Sequence, residues 1–472
     1  MRSKYTKILL IIVALLISVT AVGCQGSGDS ASSTAEGGFR TPVPQPDELA
    51  GSIKFSTYST AGYDASAFNF IGDFTQQYPG VEVTEDSAIS YDEYFATLDQ
   101  RVADGTIGDV FLVDSDRLAT YVEKGYVLDI TPYLDGLIEY TSGKYSKLVP
   151  QEIFYTAAYQ SSLYKGNMYM VPTEYENKAV WLNLDLLKEA NLTVPSDTWT
   201  WDDMLTYAKA LKELGCENPI SMDYSDFSVW GSFAMSQGVE ILMDGATDGS
   251  KVLNLTDAKV ATGLEYLADS FIRTGYISEK TPDEITPEDL SQYGMIVLSH
   301  ADLAKWEKKL AEENFEWEFA HLPGFESKDG NRSVRIGVKT LGLAVRTRDL
   351  SNEEEENAQA MRDEICAQLA LYAMVPEAAT HLAGLSGVRV PALISVNDAR
   401  FWRDYPVSGK NTSVFSLFDE YDYAANLTVY MSLEASNEIN KAMGSALESC
   451  AKAGTHIDTY LQAIQDLANT KW

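Results

Sequence analysis

The residues Val110–Arg117, with the sequence VFLVDSDR, decide the fold class of this chain. Four consecutive apolar residues predict a strand that is buried on both faces. Leu118, Tyr121 and Val122 then recur at helical spacing, and Gly125 ends that helix. Because a buried strand leads through a short polar turn into a helix, the stretch indicates an α/β sheet with helices on its faces.

The segment before this strand has the same alternation. Ile53–Ser56 alternates apolar and polar residues as a strand does, and a helical pattern follows from Phe68 to Tyr78. Val81–Val83 is the next strand, and a second helical pattern covers 94–102. The order strand, helix, strand, helix, strand predicts a parallel sheet.

The second half of the chain contains another α/β pattern. Ala179–Leu182 and Met295–Leu298 are apolar, strand-like segments. A helix is predicted over 201–214, because Thr200 and an acidic residue three positions later form a capping box. The pattern is β-rich over 315–346 and mostly helical from about 353 to the C terminus. Two α/β lobes, with more than one chain crossing between them, account for this order.

The N terminus has the pattern of a lipoprotein signal peptide. Arg2, Lys4 and Lys7 precede the uncharged, mostly aliphatic segment 8–23, which is shorter than the roughly 20 residues of a spanning helix. Ala21–Cys24 resembles the bacterial lipobox. We therefore expect a signal peptide over 1–23, lipidation of Cys24, and an extracytoplasmic body anchored to the cell membrane. An ordinary signal peptide with an incidental cysteine is the alternative.

Composition excludes several classes of protein. The 472 residues contain 36 Lys and Arg against 69 Asp and Glu, a net charge of −33, which argues against nucleic acid as a partner.

Segment 24–50 is rich in Gly, Ser, Thr and Pro and predicts a flexible tether. The cysteines and the four histidines show no metal-ligand spacing, so we predict no metal site and no cofactor.

Candidate ligand-binding residues follow the predicted strands. Ligands of open α/β sheets bind outside the carboxyl ends of the strands. Carboxylates, an arginine and aromatic rings at such an edge suit a polyhydroxylated ligand, because carboxylates accept hydrogen bonds from hydroxyl groups. The candidates that follow strands in this way are Tyr58, Tyr63, Asp114, Asp116, Arg117, Glu176 and His300.

Each of these residues also has a purely structural interpretation. Asp114 or Asp116 suits the N-terminal cap of the helix that begins near Arg117. Trp230 lies in an aromatic segment with a spacing typical of a core, and Tyr58 ends a strand and could pack on the next helix. His300 has no nucleophile or second base near it in the sequence, which favours a structural histidine.

The chain resembles the sugar-binding family of extracellular solute-binding proteins that serve bacterial ABC importers. The order and spacing of several segments together carry the resemblance, which covers nearly the whole body. These segments are Phe74–Val83, Gly105–Val113, Asp116–Arg117, Tyr121–Pro132, Gly166–Pro172, Trp181–Ala190, Thr198–Trp199 and Gly387–Pro391.

The resemblance implies a class II periplasmic-binding-protein-like fold, with two α/β lobes joined by hinge crossovers. It implies that Asp116–Arg117 and Glu176, four residues after Pro172, hold the sugar, as the matching residues do in maltodextrin-binding members. Phe227 and Trp230 match an aromatic pair of the second lobe. The expected N-lobe is 51–174 plus 323–350, and the expected C-lobe is 179–317 plus 358–472.

The function implied by the resemblance is binding without catalysis. A carbohydrate would be captured in the cleft between the lobes by hinge closure and delivered to the transmembrane subunits of an ABC permease, with the receptor acting as a monomer. Two alternatives stay open. One is a surface-anchored glycoside hydrolase, since paired carboxylates and aromatic rings also build such sites. The other is a receptor of the same fold for a peptide, a polyamine or another non-sugar solute.

Overall fold

The structure is a computed structural model of the chain. The chain divides into two units, Met1–Phe39 and Arg40–Trp472, and all described residues belong to the second. The described residues are 47–58, 63–86, 90–134, 148–244, 251–299, 302, 306, 310, 316–326, 332–337, 339–348, 353–382, 390–397, 410, 421–425 and 431–470. The predicted lipidation site Cys24 and nearly all of the predicted tether lie outside them.

Numbered along the chain, the strands are β1 (Ala50–Ser56), β2 (Gly80–Asp86), β3 (Val110–Asp114), β4 (Leu163–Tyr164), β5 (Asn167–Met168), β6 (Val171–Glu176), β7 (Lys178–Asn183), β8 (Asn218–Ser221), β9 (Leu242–Asp244), β10 (Lys251–Leu253), β11 (Tyr293–Ser299), β12 (Trp317–His321), β13 (Phe325–Glu326), β14 (Arg332–Gly337), β15 (Lys339–Val345), β16 (Val390–Pro391) and β17 (Tyr421–Ala425).

The helices are α1 (Tyr63–Gln77), α2 (Tyr91–Ala103), α3 (Ser115–Glu123), α4 (Pro150–Ile153), α5 (Thr156–Gln160), α6 (Leu184–Glu189), α7 (Trp201–Leu214), α8 (Phe227–Met235), α9 (Ala258–Tyr266), α10 (Glu353–Tyr372), α11 (Pro376–Leu382), α12 (Ile394–Asn397), α13 (Leu433–Ala453) and α14 (Asp458–Asn469). A π-helical turn, Leu267–Ile272, continues α9.

Two main sheets form the cores of the two lobes. The first has the strand order β16-β6-β15-β3-β1-β2, and the second has the order β12-β7-β11-β8. In the first sheet β1, β2 and β3 are parallel, whereas β15 runs antiparallel to both of its neighbours, β3 and β6. Every residue of β3 is buried, which confirms the prediction for Val110–Val113 and places this strand in the middle of the sheet.

Local sequence signals set several helix ends as predicted. Thr200 caps α7, with its side chain accepting from the Asp203 N–H and the Asp203 carboxylate accepting from the Thr200 N–H. Gly215 follows this helix with φ 102°, a left-handed conformation that glycine adopts without strain. Ser90 caps α2 through its hydroxyl, which accepts from the Glu93 N–H at 3.3 Å. These caps supply partners to N–H groups that have none within the helix.

The chain passes from the first sheet to the second at Asn177, between β6 and β7. It returns between β12 of the second sheet and β15 of the first. After β15 it stays with the first sheet: α10 packs on β1 and β15, α11 packs on α1, and β16 pairs with β6. Only later does α13 pack against the π-helical turn and α9.

The placement of α10, α11 and β16 differs from the sequence expectation that residues from 358 onward belong to the C-lobe. Their buried apolar residues, such as Ile365 and Leu369, cover the first sheet. The sequence shows a helix there but carries no signal for which sheet it covers. The other expected lobe bounds stay predictions.

The remaining cysteines, Cys216, Cys366 and Cys450, are free and buried, as predicted. Burial raises the pKa of the Cys366 thiol to about 12, although the nearby Arg362 works against that shift. This thiol therefore stays protonated and unreactive at neutral pH. In the part of the chain that the structure describes, no helix is long and apolar enough to cross a membrane.

Asp109 ties the first sheet to α10. One of its carboxylate oxygens accepts hydrogen bonds from Arg362 (2.6 Å), Arg348 (2.7 Å) and Arg346 (3.4 Å), and the other accepts from the Lys54 N–H at 2.9 Å. Burial raises the pKa of Asp109, but Arg362, the Lys54 N–H and Arg348 outweigh burial and hold this pKa below its usual value. The ionised carboxylate therefore stabilises the fold.

We expect Asp109→Asn to lower the free energy of unfolding by about 3–5 kcal/mol at pH 7, because it leaves buried guanidinium groups without their counter-charge. Urea denaturation measures the change. Asp269→Asn is the matched control, since its pair with Arg273 is exposed and should contribute less than about 1 kcal/mol. Equal losses in the two variants would contradict the role assigned to Asp109.

The same variant should show a defined pH dependence. Because the pKa of Asp109 is lowered in the folded state, its stabilisation is complete above the pKa of the unfolded carboxyl and is lost as the pH falls through the folded pKa. The difference between the wild-type protein and Asp109→Asn should therefore shrink on acidification. A difference that stays constant between pH 7 and pH 3 would contradict the lowered pKa.

Candidate functional site

Asp114 joins the central strand β3 to α3. Its carboxylate accepts from the Arg117 N–H at 3.1 Å, which confirms the interpretation that it caps the helix, and it also binds the Arg117 guanidinium. The residue is completely buried. Burial raises its pKa, Lys339 and Arg117 oppose that shift, and the nearby Asp116 adds to it. Asp114 therefore positions its neighbours from beneath the surface.

Arg117 is held on several sides. Its Nε donates to Asp99 at 3.2 Å, its Nη2 donates to the Phe95 carbonyl at 3.2 Å, and its guanidinium carbon lies 5.6 Å from the centre of the Phe95 ring. Tyr121 donates to the same Asp99 oxygen at 2.7 Å. These contacts leave the arginine side chain 13% exposed, so it acts as a fixed positive charge beside Asp116.

The register of β15 brings a lysine to the same place. Leu341 of β15 pairs with Asp114 of β3 and also with Glu174 of β6, and Lys339 pairs with Glu176. The Lys339 ammonium lies 3.2 Å from an Asp116 oxygen. It lies 3.5 Å from an Asp114 oxygen. The first residue of the antiparallel strand therefore meets the carboxyl ends of its two neighbours.

We call this group of Asp114, Asp116, Arg117, Glu176 and Lys339 the charged edge. Of the strand-end candidates that the sequence places at a common edge, those that follow β3 and β6 meet here. Within the edge, Asp116 (17% exposed side chain) and Lys339 (33%) reach the surface. A hydroxyl-bearing ligand at this edge would meet acceptor oxygens and a donor ammonium together.

The second sheet presents its own polar edge one residue beyond the crossing. Lys178 begins β7 and pairs with Ser299, the last residue of β11. The Asp302 carboxylate accepts from the Ser299 N–H (2.8 Å) and hydroxyl (2.9 Å), and an Asp226 oxygen lies 3.6 Å from the Lys178 ammonium. Burial lowers the pKa of Lys178, but Asp226, Asp302 and Glu176 outweigh it and raise this pKa. Glu176 of the first sheet thus acts electrostatically on Lys178, the first residue of β7 in the second sheet.

The aromatic pair expected in the second lobe lies in the core. Phe227 and Trp230 of α8 are buried, with ring centres 4.9 Å apart in an edge-to-face arrangement. The indole N–H of Trp230 donates to Asn440 of α13 at 2.9 Å. The ring therefore fastens α8 to α13, as the core interpretation predicts, and in this structure it offers no face to a ligand.

The other candidates from the sequence lie outside the charged edge or outside the residues that the structure describes. Tyr58 is fully buried, with its ring centre 6.3 Å from that of Tyr94 and 6.4 Å from that of Phe95. Tyr63 is the first residue of α1, but its side chain lies outside the described residues. His300 lies outside them as well.

Sequence reasoning missed Lys339, Lys178 and Asp302. Lys178 immediately precedes the recognised strand at 179, and Asp302 follows the recognised strand that ends at Leu298, so both could have been found from strand ends. Lys339 gave no such signal, because only the antiparallel direction of β15 turns its first residue toward the carboxyl ends of β3 and β6. Over the described ranges, no group of three His, Cys, Asp or Glu side chains is placed to hold a metal ion.

Two α/β lobes with a charged edge beside the crossing define a periplasmic-binding-protein-like fold. A sequence profile described as bacterial extracellular solute-binding protein matches residues 69–407. The chain belongs to this family of bacterial extracellular solute-binding proteins. The resemblance drawn from the sequence and the predicted fold class are both confirmed.

A curated relative is an uncharacterized ABC transporter extracellular-binding protein of Pyrococcus horikoshii. It is 24% identical over 290 residues, which are 60% of this chain and 59% of the relative. The matched stretch thus spans less than two thirds of that protein.

Solved structures match over a longer range. The cyclic α-maltosyl-1,6-maltose binding protein of Arthrobacter globiformis has a TM-score of 0.66 and 15% identity, with 89% of this chain and 98% of that chain covered. An ABC substrate-binding protein of Listeria monocytogenes, in complex with cycloalternan, has a TM-score of 0.62 and 18% identity at the same coverage. UgpB of Mycobacterium tuberculosis, in complex with glycerophosphocholine, has a TM-score of 0.60 and 17% identity, with 89% of this chain and 98% of that chain covered. At these identities the similarity shows the fold alone.

Lys339 should control the protonation of the buried Asp114. We expect Lys339→Met to raise the pKa of Asp114 further, because it removes a positive charge that opposes the effect of burial. The variant should lose about 1.5–3 kcal/mol at pH 7, the contribution of a hydrogen bond to a charged group. The loss should be smaller at pH 4, where Asp114 is closer to protonation.

Unfolding by urea at the two pH values measures this effect. Lys209→Met, at an exposed position of α7, is the matched control and should change stability little at either pH. A loss for Lys339→Met that does not depend on pH would show that Lys339 does not act through Asp114.

Proposed function

We propose that the protein is the substrate-binding lipoprotein of an ABC importer and that it binds a carbohydrate at the charged edge. The single observation that carries this proposal is the meeting of Asp116, Lys339 and Glu176 at the carboxyl ends of β3 and β6, beside the crossing to the second sheet. Membership of an extracellular solute-binding family supports the receptor role and an extracytoplasmic location.

A carbohydrate suits the chemistry of this edge. Sugar hydroxyl groups donate to carboxylates and accept from ammonium groups, and the edge offers both at the surface. Two proteins of similar fold support this choice: the one from Arthrobacter globiformis is described as binding cyclic α-maltosyl-1,6-maltose, and the one from Listeria monocytogenes was solved in complex with cycloalternan. Asp114 and Arg117 would act beneath the ligand by fixing the position of Asp116.

We further propose that ligand binding closes the two lobes at the crossing near Asn177 and that the closed monomer is recognised by the permease. In this proposal the ATP hydrolysis belongs to the transporter, and the receptor catalyses nothing.

Cys24 would carry the lipid, with residues 24–50 as the tether. Among the ligand candidates, Tyr63 and His300 remain part of the proposal, whereas Trp230 and Tyr58 are assigned to the core.

The alternative ligand class with a specific observation is a non-sugar solute. UgpB of Mycobacterium tuberculosis, of similar fold, was solved with glycerophosphocholine. The acidic groups Asp226, Asp302 and Glu176 around Lys178 would also attract a cationic ligand such as a polyamine. A screen of ligands from each class decides between them.

A thermal-shift screen against mono- and oligosaccharides, glycerophosphodiesters, peptides and polyamines tests the ligand class, since a bound ligand raises the midpoint by mass action. We expect a carbohydrate to give the largest rise, without release of reducing sugar over hours. A rise only with another class would contradict the carbohydrate, and release of reducing sugar would support the glycoside hydrolase instead.

With the best ligand from that screen, Asp116→Asn should weaken binding by about 1.5–3 kcal/mol, because it replaces a charged acceptor with a neutral amide. Isothermal titration calorimetry measures the dissociation constant. Asp466→Asn, on the exposed side of α14, is the matched control and should bind as the wild-type protein does. Unchanged affinity in Asp116→Asn would place the ligand elsewhere.

The anchor is testable by itself. We expect Cys24→Ser to release the mature protein from the membrane fraction into the medium or the periplasm, because the thiol that carries the lipid is gone. Fractionation with an antibody against the body of the protein measures the distribution. Unchanged membrane retention, with metabolic labelling by palmitate also unchanged, would contradict lipidation at Cys24.

A further inference from the structure

A pocket lies at the end of the first sheet opposite to the charged edge. It is formed between the beginning of β1 and α10, close to Asp109. Its wall combines an apolar part with polar and positively charged groups. The lining residues that matter for its chemistry are Ser52, Ile53, Arg348, Gln359, Met361 and Arg362.

The pocket lies beside an excess of positive charge. The guanidinium groups of Arg346, Arg348 and Arg362 all bind one oxygen of Asp109. Among the described side chains, the only further carboxylate that pairs with this group is that of Asp363, which lies 2.8 Å from Arg362. Three cations therefore share two anions. Burial lowers the pKa of Arg346, and the neighbouring Arg362 lowers it further, as expected where positive charge is in excess.

Within the described part of the chain, some of the N–H donors of Arg348 have no partner. A guanidinium group has five N–H donors, and Arg348 uses its Nη2 on Asp109 at 2.7 Å. The side chain is 48% exposed and lines the pocket. Arg362 is fixed below it by bonds to Asp109, Asp363 and the Arg346 carbonyl. The guanidinium group of Arg348 is therefore partly exposed to solvent, and the neighbouring Arg362 is held in place.

Strand β1 adds a backbone donor. On the β3 side it pairs only through Phe55 and Ser56, and before them the Lys54 N–H donates to the Asp109 carboxylate. Because N–H groups of a strand alternate between its two sides, the Ser52 N–H is directed to the same side as that of Lys54. Ser52 lines the pocket, which makes this N–H a candidate donor to a ligand there.

The Gln359 amide donates one of its two N–H groups to the Asp363 carboxylate, which leaves the second for a ligand. We propose that this pocket is a binding site for a small phosphate-type oxyanion, held by the Arg348 guanidinium, the Ser52 N–H and this second N–H of Gln359. A planar guanidinium fork matches two oxygens of such an anion, and backbone N–H groups complete this kind of site. In a chain with a net charge of −33 the long-range field repels anions, so binding depends on this local cluster. The site is distinct from the charged edge, because it lies at the opposite ends of β3 and β15.

Calorimetric titration of the purified protein tests the proposal. Inorganic phosphate and glycerophosphoglycerol, the soluble headgroup of an anionic phospholipid, are titrated separately at constant ionic strength set with potassium chloride, so that screening of the acidic surface is equal throughout. Tighter binding of inorganic phosphate identifies a free anion as the ligand. Tighter binding of the diester identifies a lipid headgroup.

Arg348→Gln should weaken the binding of the preferred probe at least 10-fold. Gln359→Glu, which places a negative charge at the pocket wall, should do the same, and both positions are on the surface of the fold. Arg273→Gln is the matched control, since this arginine is exposed to a similar extent and pairs with Asp269 elsewhere. No saturable binding of either probe, or equal affinity in all variants, would overturn the site. These outcomes do not depend on the identity of the ligand at the charged edge.

Discussion

The register of β15 is the constraint on which the rest of the structure depends. This strand lies antiparallel between two strands that run the other way, so its first residue, Lys339, meets their last residues, and its end meets their beginnings. At one end it completes the charged edge with Asp116. At the other end Arg346, next to the strand, donates its backbone N–H to the Asp109 carbonyl at 2.8 Å. A slip by one residue would turn its buried side chains to the opposite face and remove both ends from their partners.

The same strand separates two buried carboxylates whose pKa values shift in opposite directions, although burial raises both. Asp109 faces three guanidinium groups and a backbone N–H, and its pKa is lowered. Asp114 is completely buried and has Asp116 beside it, so Arg117 and Lys339 do not prevent its pKa from being raised. The difference follows from the balance of desolvation and neighbouring charge. At the Asp109 end of the sheet, positive charge is in excess among the described residues. At the other end, the carboxylates of Asp114 and Asp116 lie close together.

The sequence predicted what depends on neighbours along the chain and missed what depends on the arrangement of the sheets. The buried strand at 110–113, the capping box at Thr200 and the capping of α3 by Asp114 follow from local pattern and strand ends. The position of α10 does not, because the amphipathic pattern of a helix does not say which of two sheets it covers. Trp230 illustrates the same limit: its spacing fits both a core and a stacking platform, and only its bond to Asn440, 210 positions away, decides for the core. Lys339 required the direction of a strand that the β-rich pattern alone could not supply.

The crossing itself contains an unbalanced interaction. Asn177 joins β6 to β7 and is 2% exposed, and both polar atoms of its side-chain amide are buried without a hydrogen-bond partner in the described part of the chain. A buried polar group in this state costs about 1–3 kcal/mol, more than most single contacts contribute. This cost lies at the segment where the two sheets are joined, so it depends directly on how the lobes are arranged. An arrangement of the lobes that brings a donor and an acceptor to the Asn177 amide removes this local cost. If closure around a ligand brings such partners to Asn177, the relief of the cost adds to the binding energy.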